Sequence, residues 1–462
     1  MRPGGGGPHQ GRPGFLPDAG KPLREKVTLG FRTVPRSRDL APISLRIDGI
    51  SDRGEGVGRV EGRAVFVPDA IPGERVTVSR EKTGRRPTAR LLAVEEPSPD
   101  RVVPDCPSFG RCGGCQLRHV RYPAQPALKS RILRDALRTI AQIELESCDV
   151  IPAPTDIGYR NHVRLRLEGA PGRTVRCGFI GRDGRELVPV DRCRLMPEPL
   201  QRALTELVRL LGLGRSGSGE VWLRWSRASG QILATLVGLA GVRGLPSLAS
   251  VPGMRGVLAK PSNRERPPAR PLWGEDHLVD ELLSVRFSLR AESFFQVHPA
   301  QAEALFARAV ALAGPPSGTV VDGYCGAGVL TRLLARRGWR SVGIELQSAT
   351  VAGARRDAAA DGSTVEFVAG PVEEILPRRV EAGERPAVVV LDPPRAGCHE
   401  RVLHALRQAG VPRLIMISCH PGTLARDIAR LRARGYRLSR IEAFDMFPHT
   451  AHLECLALLE LG

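Results

Sequence analysis

The stretch TVVDGYCGAG, residues 319–328, decides the fold. Two valines lead to Asp322, three glycines follow within six residues, and an apolar segment begins at Val329. An apolar strand that ends in a glycine-rich turn and continues as a helix is typical of the first strand of a Rossmann-like sheet. Outward from it, helical segments alternate with short apolar strands, of which the clearest are residues 318–322, 341–345, 387–391 and 413–418. The alternation predicts an α/β fold with a parallel, doubly wound sheet.

The carboxylate of Glu345 indicates what this sheet binds. It closes the next strand about twenty residues after the glycine turn, where an acid can accept hydrogen bonds from both hydroxyls of a ribose. A dinucleotide usually requires a third closely spaced glycine for its pyrophosphate, but Val329 and Leu330 follow Gly328 here. S-adenosylmethionine carries no phosphate, and the sequence therefore predicts this cofactor.

Two further strand ends carry reactive side chains. Asp392 precedes two prolines, which form a rigid turn that holds the carboxylate at the mouth of the site. Cys419 leaves its strand just before Pro421, and proline is favoured in the first turn of a helix. The positive end of that helix is expected to stabilise a thiolate and to lower the pKa of Cys419. A protonated His420 would act in the same direction.

Glu454 is the third candidate for a reactive group. It interrupts an apolar strand that runs to Leu459, where an acid is costly unless it has a function or a partner. A thiolate and a carboxylate near a methyl donor suggest methylation of carbon 5 of uracil, which is too weak a nucleophile to take a methyl group directly. Addition of Cys419 to carbon 6 makes an enolate that is nucleophilic at carbon 5. Glu454 then removes the proton from carbon 5, and the thiolate is expelled.

Three cysteines, Cys106, Cys112 and Cys115, are clustered around a Gly-Gly pair in one tight loop. Cys193 lies in a polar, turn-like segment and is the best candidate for a fourth ligand. Four thiolates suit either tetrahedral zinc or an iron–sulfur cubane, and the spacing leaves both open.

Charge and composition indicate a nucleic-acid partner. The chain has 68 Lys and Arg against 49 Asp and Glu residues, a net charge of +19. Residues 1–40 are rich in Gly, Pro and Arg and predict a disordered basic tail. The short, glycine-punctuated strands of residues 41–97 predict a small OB-like β-barrel with a basic face. No apolar run suits a membrane span or a secretory signal, so we expect a cytoplasmic protein without a membrane partner.

In this order along the chain, the motifs resemble the bacterial RNA uracil-5-methyltransferases that carry an N-terminal TRAM domain and a 4Fe-4S cluster. The resemblance runs from residue 43 to the end. The stretches that carry it are GEGVGRVEGRAVFVPDAIPGE, PSPDRVVPDCPSFGRCGGCQLRH, YRNHVRLRL, SFFQVHPAQAE, DGYCGAGVLT, VLDPPRAG, SCHPGTLARD and FPHTAHLE. The family usually has Asn at the position of His420 and Val at the position of Leu453.

The resemblance implies a role for each candidate residue. It implies a 4Fe-4S cluster on the four cysteines, structural or RNA-positioning rather than redox-active. It implies Cys419 as the nucleophile and Glu454 as the proton acceptor. It also implies cofactor contacts from four residues, Gln296, Tyr324, Glu345 and Asp392.

Pattern and resemblance together predict four segments. These are a basic tail over 1–40, a TRAM β-barrel over 41–97, a central α+β RNA-binding domain with the iron–sulfur loop over 98–290, and a methyltransferase domain over 291–462. A helix near 124–141 is expected to pack with the methyltransferase domain. The expected substrate is a uridine of 23S rRNA, bound by a monomer, and a tRNA T-loop uridine is the alternative.

Two other functions compete with this prediction. An amino-group methyltransferase would carry an aromatic residue after its Asp-Pro-Pro turn, where this chain has Arg395. A non-catalytic RNA-binding assembly factor would have no need of Cys419 and Glu454. The sequence therefore favours the uracil-5-methyltransferase.

Overall fold

The computed structural model describes residues 41–81, 86–170, 172–213, 217–239, 242–243, 245–263 and 268–462. The basic tail predicted for residues 1–40 lies outside this part of the chain. No helix among the described residues has the length and apolar character needed to cross a membrane.

The N-terminal region is a closed five-stranded barrel in the order β1-β2-β3-β5-β4. Its strands are β1 (Ile43–Ile50), β2 (Gly56–Val60), β3 (Arg63–Val67), β4 (Arg75–Glu81) and β5 (Thr88–Glu96). Alternate side chains such as Ile47 and Val67 fill the barrel. The repeated glycines of the sequence have a steric cause at Gly58, where a Cβ atom would lie 2.6 Å from the carbonyl oxygen of Arg46.

The segment after the barrel and the cysteine loop packs against the C-terminal sheet. Helix α1 (Gln125–Ala136) continues as one π turn to Ala141, close to the helix predicted near 124–141. Leu133 and Leu137 are fully buried in the core of the C-terminal domain. Strand β6 (Val150–Ile151) then joins the edge of the C-terminal sheet.

The central region is built on a seven-stranded mixed sheet in the order β15-β14-β12-β11-β7-β8-β9. Its elements, with the small β10–β13 pair, are β7 (His162–Gly169), β8 (Arg176–Ile180), β9 (Leu187–Pro189), α2 (Glu198–Leu210), β10 (Gly212–Leu213), β11 (Gly217–Trp225), β12 (Ile232–Val237), β13 (Val242–Arg243), β14 (Met254–Lys260) and β15 (Arg270–Gly274). The buried face of α2 packs on this sheet through residues such as Leu200 and Leu207. A hairpin, β16 (His277–Leu282) and β17 (Val285–Arg290), leads into the C-terminal domain.

The C-terminal domain is an eight-stranded sheet in the order β20-β19-β18-β21-β22-β24-β23-β6, with helices between its parallel strands. Its elements are α3 (Pro299–Ala313), β18 (Thr319–Gly323), α4 (Val329–Arg336), β19 (Arg340–Glu345), α5 (Ser348–Ala360), β20 (Val365–Ala369), α6 (Val372–Glu381), β21 (Val388–Leu391), α7 (Glu400–Ala409), β22 (Arg413–Ser418), α8 (Pro421–Arg432), β23 (Tyr436–Phe444) and β24 (Glu454–Leu461).

The predicted parallel pairing is correct for the five strands from β20 to β22 and also occurs between β23 and β6, but it is wrong for β24. Strand β24 runs antiparallel to both of its neighbours, β22 and β23. Residues 445–453 join β23 to β24 without a helix, and such a short connection permits antiparallel pairing but not the crossover that parallel pairing requires. Because β24 is reversed, its first residue lies at the edge of the sheet where the parallel strands end.

Candidate active site

The reversed strand brings Glu454 to the carboxyl edge beside Cys419. Ser418, the last residue of β22, pairs with Cys455 of β24. Cys419 directly follows Ser418, and Glu454 directly precedes Cys455, so both residues flank the same pair. Burial, followed by the charge of Glu454, raises the pKa of Cys419, and the charge of Asp392 acts on both Cys419 and Glu454. The structure therefore brings the two predicted catalytic residues and Asp392 into one electrostatic unit.

A cavity of about 40 Å³ lies beside this unit. Three of the four predicted cofactor residues line it, namely Gln296, Tyr324 and Asp392. Sites for small molecules usually measure about 300–1,000 Å³, so a ligand as large as S-adenosylmethionine must extend beyond this cavity. The fourth predicted residue, Glu345, does not line the cavity. Its carboxylate accepts hydrogen bonds from the backbone N–H groups of Gly326 (3.2 Å) and Gln347 (2.8 Å) at the adjoining turn.

The glycine turn has the steric character that the sequence predicts. Gly328 has a φ of 72°, and a Cβ atom there would collide with the ring of Phe367. Tyr324 has a φ of 65°, which is uncommon for a residue with a side chain. Such strained backbone is concentrated at functional sites, and the sequence gives no sign of it.

Asp322, near the end of β18, also lines the cavity. Its carboxylate accepts a 2.6 Å hydrogen bond from the Thr331 hydroxyl. Burial, with a smaller effect of Asp392, raises the pKa of Asp322 to about 7. Asp322 and Asp392 thus place two acids in the same cavity.

The two acids nearest to Cys419 are held in an unfavourable environment for their charged forms. Glu454 is 1% exposed, and burial followed by the charge of Asp392 raises the pKa of Glu454 well above its ordinary value. Burial likewise raises the pKa of Asp392. Strongly perturbed carboxyl groups in a cleft are typical of groups that exchange protons during a reaction.

The lowered pKa predicted for Cys419 is wrong for this structure. Burial, followed by the charge of Glu454, raises the pKa of Cys419 to about 11, and Arg395 offsets only part of this effect. The cysteine does stand before helix α8, with Pro421 in the first turn. Burial and the neighbouring acids therefore outweigh the helix terminus, and the thiol is protonated at neutral pH.

His420 caps helix α8 instead of supplying a positive charge. Its Nδ1 atom accepts the backbone N–H of Thr423 at 3.1 Å, so this nitrogen carries no proton. This contact requires the lone pair of Nδ1, so the cap and the predicted assistance from a protonated His420 exclude one another. Asparagine, which the family usually has here, is also a favoured cap residue, so the exchange preserves the start of the helix.

The four predicted metal ligands face one cavity of about 620 Å³. Cys106, Cys112, Cys115 and Cys193 all line it. Burial, with smaller effects from Cys193, Cys112 and Cys106, raises the pKa of Cys115 to about 12. Within the described ranges, no three His, Cys, Asp or Glu side chains are grouped closely enough to hold a metal ion. The structure thus brings the four thiols to one space without a preformed ion site.

Comparison with known proteins relates this geometry to a family. The chain is 36% identical over 444 residues to an uncharacterized RNA methyltransferase of Thermosynechococcus vestitus, with 91% of this chain and 98% of the relative covered. A family model described as tRNA (Uracil-5-)-methyltransferase matches residues 384–461, and the TRAM domain model matches residues 43–86. The chain belongs to the RNA uracil-5-methyltransferase family. An RNA methyltransferase of Halalkalibacterium halodurans, also uncharacterized, is 32% identical, with 91% and 97% of the two chains covered.

A solved structure extends the relationship to the whole fold of this RNA methyltransferase. The tRNA (uracil-54, C5)-methyltransferase of Pyrococcus abyssi, in complex with S-adenosyl-L-homocysteine, superposes with a TM-score of 0.72. It is 25% identical, and the match covers 90% of this chain and 99% of that one. The predicted Rossmann-like methyltransferase domain, TRAM barrel and S-adenosylmethionine cofactor are confirmed.

Proposed function

We propose that this RNA methyltransferase transfers a methyl group to carbon 5 of a uridine in 23S rRNA through a covalent adduct between Cys419 and uracil. The observation that carries the proposal is the placement of Cys419 and Glu454 at adjoining strand ends beside the cofactor cavity. A nucleophile and a proton acceptor are the two protein groups that this chemistry requires.

The reaction balances with these two side chains. The thiol of Cys419 first gives its proton to water. The resulting thiolate forms a bond to carbon 6, and the electrons of the carbon 5–carbon 6 double bond move to the carbonyl oxygen at carbon 4. S-adenosylmethionine supplies an electrophilic methyl group and a positive sulfonium charge. After carbon 5 has taken the methyl group, Glu454 accepts the proton from that carbon. The double bond re-forms as the carbon–sulfur bond breaks.

The cofactor contacts proposed for Gln296, Tyr324, Glu345 and Asp392 fit the donor and acceptor pattern of the site. The side-chain oxygen of Gln296 is buried and has no hydrogen-bond partner among the described residues. Such an oxygen can accept a hydrogen bond from the ammonium group of the cofactor. The carboxylates of Asp322 and Asp392 in the same cavity favour a cation. Glu345 has the position expected of an acceptor for ribose hydroxyls.

We also propose that Cys106, Cys112, Cys115 and Cys193 hold a 4Fe-4S cluster. The support is their shared cavity, because four thiols that line one space can together bind one centre. A cluster would cross-link the cysteine loop to the central domain.

The cluster gives a direct prediction. Cys193→Ser should remove most of the iron and acid-labile sulfide from protein purified without oxygen and should lower its melting temperature. Cys177→Ser is the matched control, because Cys177 is buried in the core of the central domain and does not line the cavity. Equal iron contents in wild type and Cys193→Ser would remove Cys193 from the ligand set.

The 23S rRNA substrate is supported by the cysteine set, which resembles that of the rRNA-modifying members of the family. A tRNA T-loop uridine is the second candidate, because the matching family model and the Pyrococcus abyssi enzyme are both described as acting on tRNA. We propose a cytoplasmic monomer that binds structured RNA through the barrel and the central domain.

The experiment that tests the substrate is the mapping of 5-methyluridine by mass spectrometry in RNA from cells that lack this gene. Loss of the modification at one position of 23S rRNA, restored by the wild-type gene, is expected. Loss from tRNA instead would make the second candidate correct. If every 5-methyluridine remained, the proposed activity would be wrong.

A further inference from the structure

We propose that His449 is a positioning residue that fastens the segment before Glu454 to the cysteine loop and helix α1. The geometry of proton removal then depends on residues that lie about 300 positions earlier in the chain. This inference rests on the role proposed for Glu454. It concerns the loop of residues 445–453, which carries that acid into strand β24.

The backbone of His449 forms the first part of the connection. Its carbonyl oxygen accepts hydrogen bonds from two consecutive N–H groups, those of Gln116 (3.0 Å) and Leu117 (2.9 Å), which directly follow the last cysteine of the loop. Its own N–H donates to Oε1 of Gln125 on α1 at 2.8 Å. The residue is 6% exposed and has a φ of 66°. A side chain in this left-handed conformation persists only where its surroundings hold it there.

The imidazole ring forms the second part. Its Nδ1 atom lies 3.1 Å from Nε2 of Gln125, and its Nε2 atom lies 3.1 Å from a carboxylate oxygen of Asp156. An amide nitrogen can only donate and a carboxylate can only accept, so Nδ1 is the acceptor and Nε2–H the donor. All four polar positions of His449 therefore lie within hydrogen-bond distance of a partner. They connect one residue to the cysteine loop, to α1 and to the segment before the central sheet.

Neighbouring contacts hold the same loop from the same side. Lys129 on α1 donates to Asp445 (2.5 Å) and to the carbonyl oxygen of Phe447 (3.0 Å), and both charged side chains of this pair are fully buried. The hydroxyl of Tyr159 donates to the carbonyl oxygen of Pro448 at 3.1 Å. These anchors all come from residues 116–159. His449 bonds to the two residues that directly follow the last cysteine of the cysteine loop.

The position of the anchor indicates which reaction step it controls. Cys419 lies between β22 and α8 and is separated in the chain from the loop of residues 445–453. Glu454 is the first residue of β24, so a displacement of the loop reaches this acid before any other catalytic group. Misplacement of a catalytic group by about 1 Å can cost about 100-fold in rate. Loss of the anchor should therefore slow proton removal more than adduct formation.

The test compares His449→Ala with His449→Asn in the full chain. Asparagine tolerates the left-handed conformation and keeps one donor and one acceptor, whereas alanine keeps neither property. With unmodified RNA, we expect His449→Ala to lower kcat by about 10- to 100-fold, to leave the KM for S-adenosylmethionine unchanged, and to accumulate methylated covalent adduct. His449→Asn should recover part of kcat. His404→Ala, at an exposed position of α7, is the control.

If His449→Ala fails to fold, two variants of Asp156 provide the same test with a smaller structural change. The Asp156 side chain is one-third exposed, so Asp156→Asn should behave as wild type because it keeps the acceptor, while Asp156→Ala should accumulate adduct. The inference would be overturned if His449→Ala or Asp156→Ala lost adduct formation and turnover equally. It would also be overturned if neither of these two variants lost turnover. If wild type itself formed no adduct with 5-fluorouridine-containing RNA, the proposed function would fail instead, and the two failures are thereby distinguished.

Discussion

Cys419→Ala is expected to abolish both methyl transfer and the covalent RNA adduct while leaving S-adenosylmethionine binding near normal. Without sulfur, no enolate forms at carbon 5, and loss of a catalytic nucleophile typically costs roughly four to six orders of magnitude in kcat. Cys419 does not line the cofactor cavity, so cofactor affinity should be preserved. The measurements are incorporation of labelled methyl groups, gel shift of a denaturation-resistant adduct with 5-fluorouridine-containing RNA, and calorimetric titration of the cofactor.

Cys177→Ala is the control for this variant, because it removes a buried thiol from the central domain. It should retain both the adduct and turnover if it folds. A trapped adduct that persisted in Cys419→Ala would assign the nucleophile to another residue. Loss of cofactor binding together with activity would mean that the substitution had damaged the cofactor site.

The raised pKa of Cys419 adds a pH dependence to the same step. The reactive form is the thiolate, and with a pKa of about 11 only a small fraction of the free enzyme carries it at neutral pH. The fraction of thiolate rises about tenfold per pH unit below the pKa, so kcat/KM should rise with pH between about pH 7 and 9. A flat profile would mean that another step limits the rate.

The sequence predicted most of the fold because its signals are local. The glycine turn after Asp322 and the apolar strands around it identify the parallel half of the sheet, and the glycine-punctuated strands identify the barrel. The reversed strand β24 was not foreseen, since pairing direction depends on the connection over residues 445–453 and not on the strand itself. The pairing of β6 with the edge of the C-terminal sheet could not be predicted from the sequence either, because its partner strand lies about 300 residues later in the chain.

In the candidate site, too, the sequence predicted what depends on local signals and not what depends on contacts between distant segments. Cys419 and Glu454 were selected from their own strand ends, and the structure brings them together while their roles stay predictions. The direction of the pKa shift at Cys419 was wrong because it depends on burial and on an acid from another strand. His449 has no local signal in the sequence, because its partners at positions 116, 117, 125 and 156 are distant along the chain. A sequence shows which groups are available, whereas their environment is set by contacts between remote segments.

Glu454→Gln is expected to convert the enzyme into one that stops at the methylated adduct. Glutamine keeps the size of the side chain but cannot accept the proton from carbon 5, so the carbon–sulfur bond cannot break. Addition and methyl transfer should continue for one turnover, and kcat should fall by about 100- to 10,000-fold, the usual contribution of a general base. Removal of the acid also removes one cause of the raised pKa of Cys419, so the first turnover should be at least as fast as in wild type.

The measurement is mass spectrometry of the covalent protein–RNA species formed with unmodified RNA, which should carry one methyl group and reach one adduct per active site. Glu460→Gln is the matched control, since Glu460 lies at the far end of the same strand and pairs with Arg413. Asp392 is the other acid that acts on Cys419, so an Asp392→Asn variant is needed to interpret normal turnover of Glu454→Gln. If Glu454→Gln turned over normally while Asp392→Asn accumulated the adduct, the proton acceptor would be Asp392, and β24 would serve only to bury the thiol.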